Sequence, residues 1–125
     1  MKAGFLIFVA ALLTACASNT SGGKGVSAAS MEIVRGMSYQ QVLAVASDFE
    51  KQRTFKGRGT ALQFCHGEFL GFDSFVVVWL VDDVVEGLTQ YQIQRENAWR
   101  SCARQFREVD WGQAPANVKI KLDVE

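Results

Sequence analysis

One histidine, three cysteines and two adjacent aspartates are the groups of this 125-residue chain whose chemistry is tested first. His66 is the sole histidine and follows Cys65 directly, with Glu68 and Asp73 close behind. Histidine is the residue type suited to acid–base work near neutrality, and a Cys-His pair could ligate zinc or supply a nucleophile with its base. Both roles need more: further ligands, or a third group that orients the base. A strand here would put neighbouring side chains on opposite faces and separate Cys65 from His66. A disulfide cysteine beside a surface histidine is the simpler assignment. There is no Cys-x-x-Cys, which argues against a thiol oxidoreductase. Asp82-Asp83 has no paired-acid or metal spacing beyond what a turn explains. The expectation is therefore no catalytic residue, no metal and no cofactor.

Two groups of side chains suit contact better than turnover. Lys51, Arg53, Lys56 and Arg58 fall within 51–59, a stretch with two glycines and no acid, which reads as a solvated loop. These cations could meet anionic headgroups, each contributing about 1 kcal/mol near such a surface, or a partner protein, or serve only solubility. Phe69, Leu70, Phe72 and Phe75 surround Gly71 and Asp73 between two strand candidates. Phe69 and Phe72 are the candidates for exposed contact points, with core packing as the other fate.

The chain's start bears on where such contacts would be made. Lys2 precedes an apolar run over 3–13, and Leu13-Thr14-Ala15-Cys16 follows. A positive charge, a short apolar stretch and small residues at a cleavage point make a secretory signal peptide. The run is shorter than the roughly 20 residues a membrane-spanning helix needs, so 1–15 is expected to be removed. Leu-Thr-Ala-Cys resembles the lipobox of bacterial lipoproteins, and the resemblance implies lipid attachment at Cys16. Several acyl chains on one residue form an effectively permanent anchor, at about 0.8 kcal/mol for each buried CH₂. Ala17 and Ser18 follow in place of an aspartate, which by resemblance to Gram-negative lipoprotein sorting implies the outer membrane, with the domain facing the periplasm. Residues 16–30 are small and polar and read as a tether, leaving 31–125 as one domain. Of 13 basic side chains Lys2 lies in the signal, so 12 remain against 13 acids, a net of −1. That balance excludes a strongly basic nucleic-acid face.

With Cys16 assigned to lipid, Cys65 and Cys102 remain, and in an exported chain two such cysteines are most simply a disulfide. They stand 37 positions apart, and closing such a loop is worth about 4 kcal/mol in the chain-entropy account. Ser38-Tyr39-Gln40-Gln41 spells a capping box, and Val42, Val45, Ala46 and Phe49 recur at helical spacing, which predicts a helix over 39–50. Thr60 onward to Phe69, then 75–81, then 84–93 read as strands, the last two forming a hairpin about Asp82-Asp83 with Gly87 a possible bulge. Residues 102–111 fit either period and are read as a strand; a helix from an Asn97 cap is the alternative. Val118, Ile120, Leu122 and Val124 alternate with polar residues, which predicts a final strand. The fold class is α+β: an N-terminal helix packed on a small antiparallel sheet of three to five strands, in two layers.

Ile33-Val34-Arg35-Gly36-Met37-Ser38 with Gln41-Val42 resembles the helix start of the SmpA/OmlA (BamE-like) outer-membrane lipoproteins. Thr60-Ala61-Leu62-Gln63-Phe64-Cys65, Val77-Val78-Trp79, Gly87-Leu88-Thr89-Gln90-Tyr91 and the run from Cys102 through Phe106 and Trp111 to Ala114-Pro115 resemble a subgroup of it with a paired-cysteine sheet. The chain would be a divergent member. The resemblance implies a non-enzymatic accessory of the machinery that assembles β-barrel proteins in the outer membrane, with envelope proteins as partners. A lipoprotein inhibitor or a small ligand-binding domain of the periplasm is the other reading.

Overall fold

Ser38 determines where a helix begins: its hydroxyl accepts the Gln41 amide at 3.2 Å, while the Gln41 side chain accepts the Ser38 amide at 2.8 Å. A computed structural model describes residues 25–67, 71–95 and 100–123. In it this helix, α2, spans Tyr39–Val45 and stops short of the expected Glu50, because Ala46 closes its last turn and Ser47-Asp48 lead into a strand. A second helix, α1 (Val26–Glu32), precedes it. Val26, Ala29 and Ser30 are buried at i, i+3 and i+4, one stripe of a helix. The tether expected over 16–30 is thus too long, and the fold begins by Val26 rather than near Met31.

Four antiparallel strands follow in sequential order: β1 (Glu50–Lys56), β2 (Gly59–Gly67), β3 (Phe72–Val81) and β4 (Val84–Gln94). With the three α-helices among the described residues they make an α+β fold. The expected loop over 51–59 is corrected to a strand and a tight turn. An outer strand has half its surroundings in water and tolerates cations that a central strand would not. The β3–β4 hairpin turns on Asp82 and Asp83, whose φ values of 51° and 62° are the left-handed pair of a type I′ turn. Trp79 stands opposite Gly87 but Leu80 opposite Val85, so Glu86 is the extra residue of a bulge. Gly87 is required there: a Cβ would lie 2.8 Å from Cγ of Pro115.

Alternate residues of each strand serve opposite faces. Leu62, Phe64, Val76, Val78, Leu80 and Val85 share one buried cluster with Val26, Ala29, Ile33, Val42 and Ala46. Across the sheet, Ala61, Val77, Trp79 and Val81 meet Ala114 and Val118, while Cys65 and Phe75 meet Cys102. Both faces are covered, so the two-layer expectation lacks a layer: the C-terminal segment lies flat on the second face.

That segment overturns two expected strands. Residues 102–111 form a 3₁₀ turn (Cys102–Gln105), an extended stretch without sheet pairing, and the start of a second 3₁₀ turn (Trp111–Gln113). The final segment is a helix, α3 (Ala116–Asp123). Val118 and Leu122, four apart, sit in the same apolar cluster while Ile120 is exposed. A short alternating run contains an i, i+4 pair and so fits both periods; docking on a face in place of an edge decides for the helix.

Candidate functional site

The four candidate cations lie on or just after β1, and each has a local partner. Lys51 donates from Nζ to the carbonyls of Ala46 and Phe49, both at 2.8 Å, tying the start of β1 to the turn that follows α2. Arg53 lies 4.2 Å from the ring centre of Tyr39 and 4.3 Å from that of Phe55. Lys56 stands 5.9 Å from the Trp111 ring. Arg58 pairs with Asp82 across the two turns, with Nε to the carboxylate at 3.0 Å. Hydrogen bonding to Arg58 holds the Asp82 carboxyl below its ordinary value, and the same contact raises the Arg58 guanidinium. What remains open to a partner is the Tyr39–Arg53–Phe55 stack, where Phe55 keeps 61% of its surface exposed. Phe72 is also exposed, at the far end of the sheet, and Phe69 lies outside the described residues, as do Glu68, Leu70 and Cys16.

Cys65 and Cys102 are joined as a disulfide with Cα atoms 6.1 Å apart. His66, one residue on, faces the other side of β2 and meets the edge of Phe49 at 5.9 Å. The Glu50 carboxylate lies within 4.8 Å of both sulfurs. With the sulfurs bonded to each other, that carboxylate is the one ligand left of the three. It is committed to the C-terminal segment over 100–123, the arm, accepting from the Ser101 hydroxyl and from the Ala103 amide at 3.2 Å.

Two polar residues buried in the sheet hold the arm further along. Gln63, in the middle of β2, donates to the Arg107 carbonyl at 2.8 Å and accepts from the Tyr91 hydroxyl, which itself accepts the Arg107 amide at 3.1 Å. Side chains of the sheet face thus satisfy the arm's backbone where a strand partner would otherwise do so. Burial raises the Tyr91 hydroxyl above its ordinary value. Asp73, fully buried, accepts from Arg95 Nε at 2.9 Å and from the Gln105 amide. Gly67 makes room, since any Cβ there would collide with the Arg95 guanidinium. Between arm and sheet lies a cavity of about 130 Å³ whose walls include Gln63, Trp79, Tyr91, Val109 and Gln113.

A third polar clasp forms at the bulge. Glu86 accepts from Lys121 of α3, from Arg35 at 3.3 Å and from Asn117 at 3.1 Å. The Lys121 hydrogen bond is the largest cause holding its carboxyl below the ordinary value, with Arg35 adding to it. Gln63, Asp73 and Glu86 were not candidates from the sequence. A signal existed for Gln63, a polar residue inside an apolar run of strand; for Asp73, placed by its sequence between two strand candidates, and for Glu86 there was none, because neither the early start of β3 nor a bulge can be seen in residue types.

No helix among the described residues is long and apolar enough to cross a membrane. No family model matches the chain, and no curated protein or solved structure matches it.

Proposed function

We propose that this chain is a lipid-anchored binding module of the cell envelope, held at the outer membrane through Cys16 and acting as an accessory in outer-membrane protein assembly or envelope integrity. The reading takes the domain as an N-terminal helix laid on an antiparallel sheet, in the manner of the SmpA/OmlA (BamE-like) lipoproteins it resembles. The observation that carries it is the Tyr39–Arg53–Phe55 stack, formed where the start of α2 meets the outer strand β1. Aromatic and arginine side chains are the residue types that dominate interface energetics. Here the guanidinium is already ordered by two rings, so little side-chain entropy is lost on contact. His66 and the disulfide, by contrast, are engaged in packing.

The test uses the lipidated protein as bait in solubilised envelopes and in a deletion strain challenged with detergent. Phe55→Ala should weaken capture of the partner by about 30-fold, as for an interface anchor worth ~2 kcal/mol, while His66→Ala should complement fully. Complementation lost with His66→Ala in a folded protein would move the search to an active site. Cys16→Ala should release the protein from membranes; retention at unchanged mature mass would remove the lipid anchor from the account.

A second reading has one observation in its favour. The cavity beside Gln63, Trp79 and Tyr91 has a size and an amide-and-aromatic lining that suit a small neutral ligand. Under that reading the protein is a periplasmic ligand-binding domain, and Phe55→Ala would leave its function intact.

A further inference from the structure

We infer that the domain stands on the lipid surface by the end of the sheet that carries Phe72 and Gln94, which directs the Tyr39–Arg53–Phe55 stack away from the membrane. The inference rests on the lipid anchor at Cys16 proposed above, and it replaces the headgroup contact considered for the cations of 51–59.

The course of α1 supplies the geometry. Ser27, in its first turn, borders the same groove as Ser74 and Gln92, which pair with each other across β3 and β4. One turn later the Ser30 hydroxyl accepts from Gln90 at 2.9 Å. Beyond the helix, Arg35 reaches Glu86 and the Gly36 amide donates to the Val85 carbonyl at 2.9 Å. The partners run from 92 to 90 to 86 to 85, so α1 lies antiparallel to β4. Gly25, where the described chain begins, is therefore at the end where Phe72 pairs with Gln94. The turns at Gly57-Arg58 and Asp82-Asp83 are at the other end.

Chain length then decides the orientation. Gly25 lies nine positions after Cys16. A chain of nine residues spans about 17 Å on average if it behaves as a random coil and about 30 Å at most when fully drawn out. β3 has ten residues, and a strand of that length is also about 30 Å long. Bringing the turn end to the lipid would require the tether to run the whole length of the sheet, stretched to its limit. Standing on the Phe72 end requires no stretching. Among the described residues that end offers an exposed aromatic ring in Phe72, with the exposed residues Arg100 and Arg104 two positions either side of Cys102 and the exposed acid Glu50 close to the Cys65–Cys102 bond. The charges are mixed, so an uncharged bilayer should suffice.

The experiment uses the full lipidated chain in phosphatidylcholine vesicles with an acceptor dye on the lipid headgroups. A fluorescent amino acid replaces Phe72 in one preparation, Gln94 in a second and Phe55 in a third. Intact mass verifies the acyl chains on Cys16 and the disulfide. Energy transfer should be several-fold more efficient from 72 and from 94 than from 55. Position 94 keeps the test decisive if the change at 72 disturbs the hairpin. Equal or reversed transfer with Cys16 acylated overturns the orientation alone. An unmodified Cys16, with no flotation of the protein on vesicles, overturns both the orientation and the anchor on which it rests.

Discussion

Glu86 shows how a single carboxylate can hold three parts of this chain together. It is the bulge residue of β4, its side chain is 8% exposed, and it takes hydrogen bonds from Arg35 ahead of α2 and from Lys121 on α3. Because these partners favour the ionised form, its folded pKa lies below its unfolded value. A depressed carboxyl contributes stability that is present above the unfolded pKa, about 4.3 for glutamate, and is lost as pH falls through the folded one. Glu86→Gln should therefore be less stable than the parent at pH 7, by about 1–3 kcal/mol for a nearly buried charged acceptor. The gap should narrow below about pH 4, where the parent's own carboxylate is protonated. Melting curves of both proteins at pH 7 and pH 3.5 measure this, and a gap independent of pH would sink the idea.

At the scale of elements, the hairpin of β3 and β4 is the part most fully written into residue types. A β-branched and aromatic run, two aspartates and a second run specify two strands and a turn, and Asp82 and Asp83 do turn the chain. Neither residue adopts a left-handed φ without cost, which is about 1–2 kcal/mol for an ordinary residue and less for aspartate. Asp82 has a compensating pair in Arg58, whereas Asp83 contributes through its carbonyl, which accepts the Tyr39 amide at 2.9 Å. Asp83→Gly keeps that carbonyl and removes the strain, so it should stabilise the protein by up to about 1 kcal/mol, read as a rise in melting temperature of a few degrees. An unchanged or lower melting temperature would show that the Asp83 side chain matters.

Other elements were less legible, for identifiable reasons. β1 reads as a loop because Lys51, Arg53, Lys56 and Arg58 crowd it, and an outer strand with little burial gives almost no alternating signal. α1 has three buried positions in seven residues, set among serines and alanines that also suit a tether. The C-terminal arm carries aromatic residues that fit a strand, but they point down onto a sheet face, and the side chains that hydrogen-bond its backbone are 16 and 44 residues away, Tyr91 accepting from the Arg107 amide and Gln63 donating to the Arg107 carbonyl. The candidate contacts divide the same way. Phe72 and the four cations are exposed; which cation stays available depends on Tyr39 and Phe55 being brought to Arg53, and residue types do not reveal that meeting of the first residue of α2 with β1.

For the molecule as a whole, the arm is the part whose attachment decides what the second sheet face presents. It is fixed at one end by the Cys65–Cys102 bond and by Glu50 on Ser101 and Ala103, and at the other by Val118 in the core and Lys121 on Glu86. Between these ends the Arg107 backbone rests on two side chains, and Gln105 on one carboxylate. A hydrogen bond contributes a net of about 0.5–1.5 kcal/mol, so the middle of the arm is weakly held unless its ends are fixed. Cys102→Ser removes the covalent end and should cost about 2–4 kcal/mol of global stability. It should also act locally: amide exchange across 103–110 should rise well before that of β2 and β3, whose backbone bonds lie within the sheet. Hydrogen-exchange mass spectrometry of the parent and the variant at neutral pH resolves these segments. If protection instead falls uniformly over arm and sheet, the disulfide acts only on the unfolded chain, and the cavity beside Gln63 would open no more readily in the variant than in the parent.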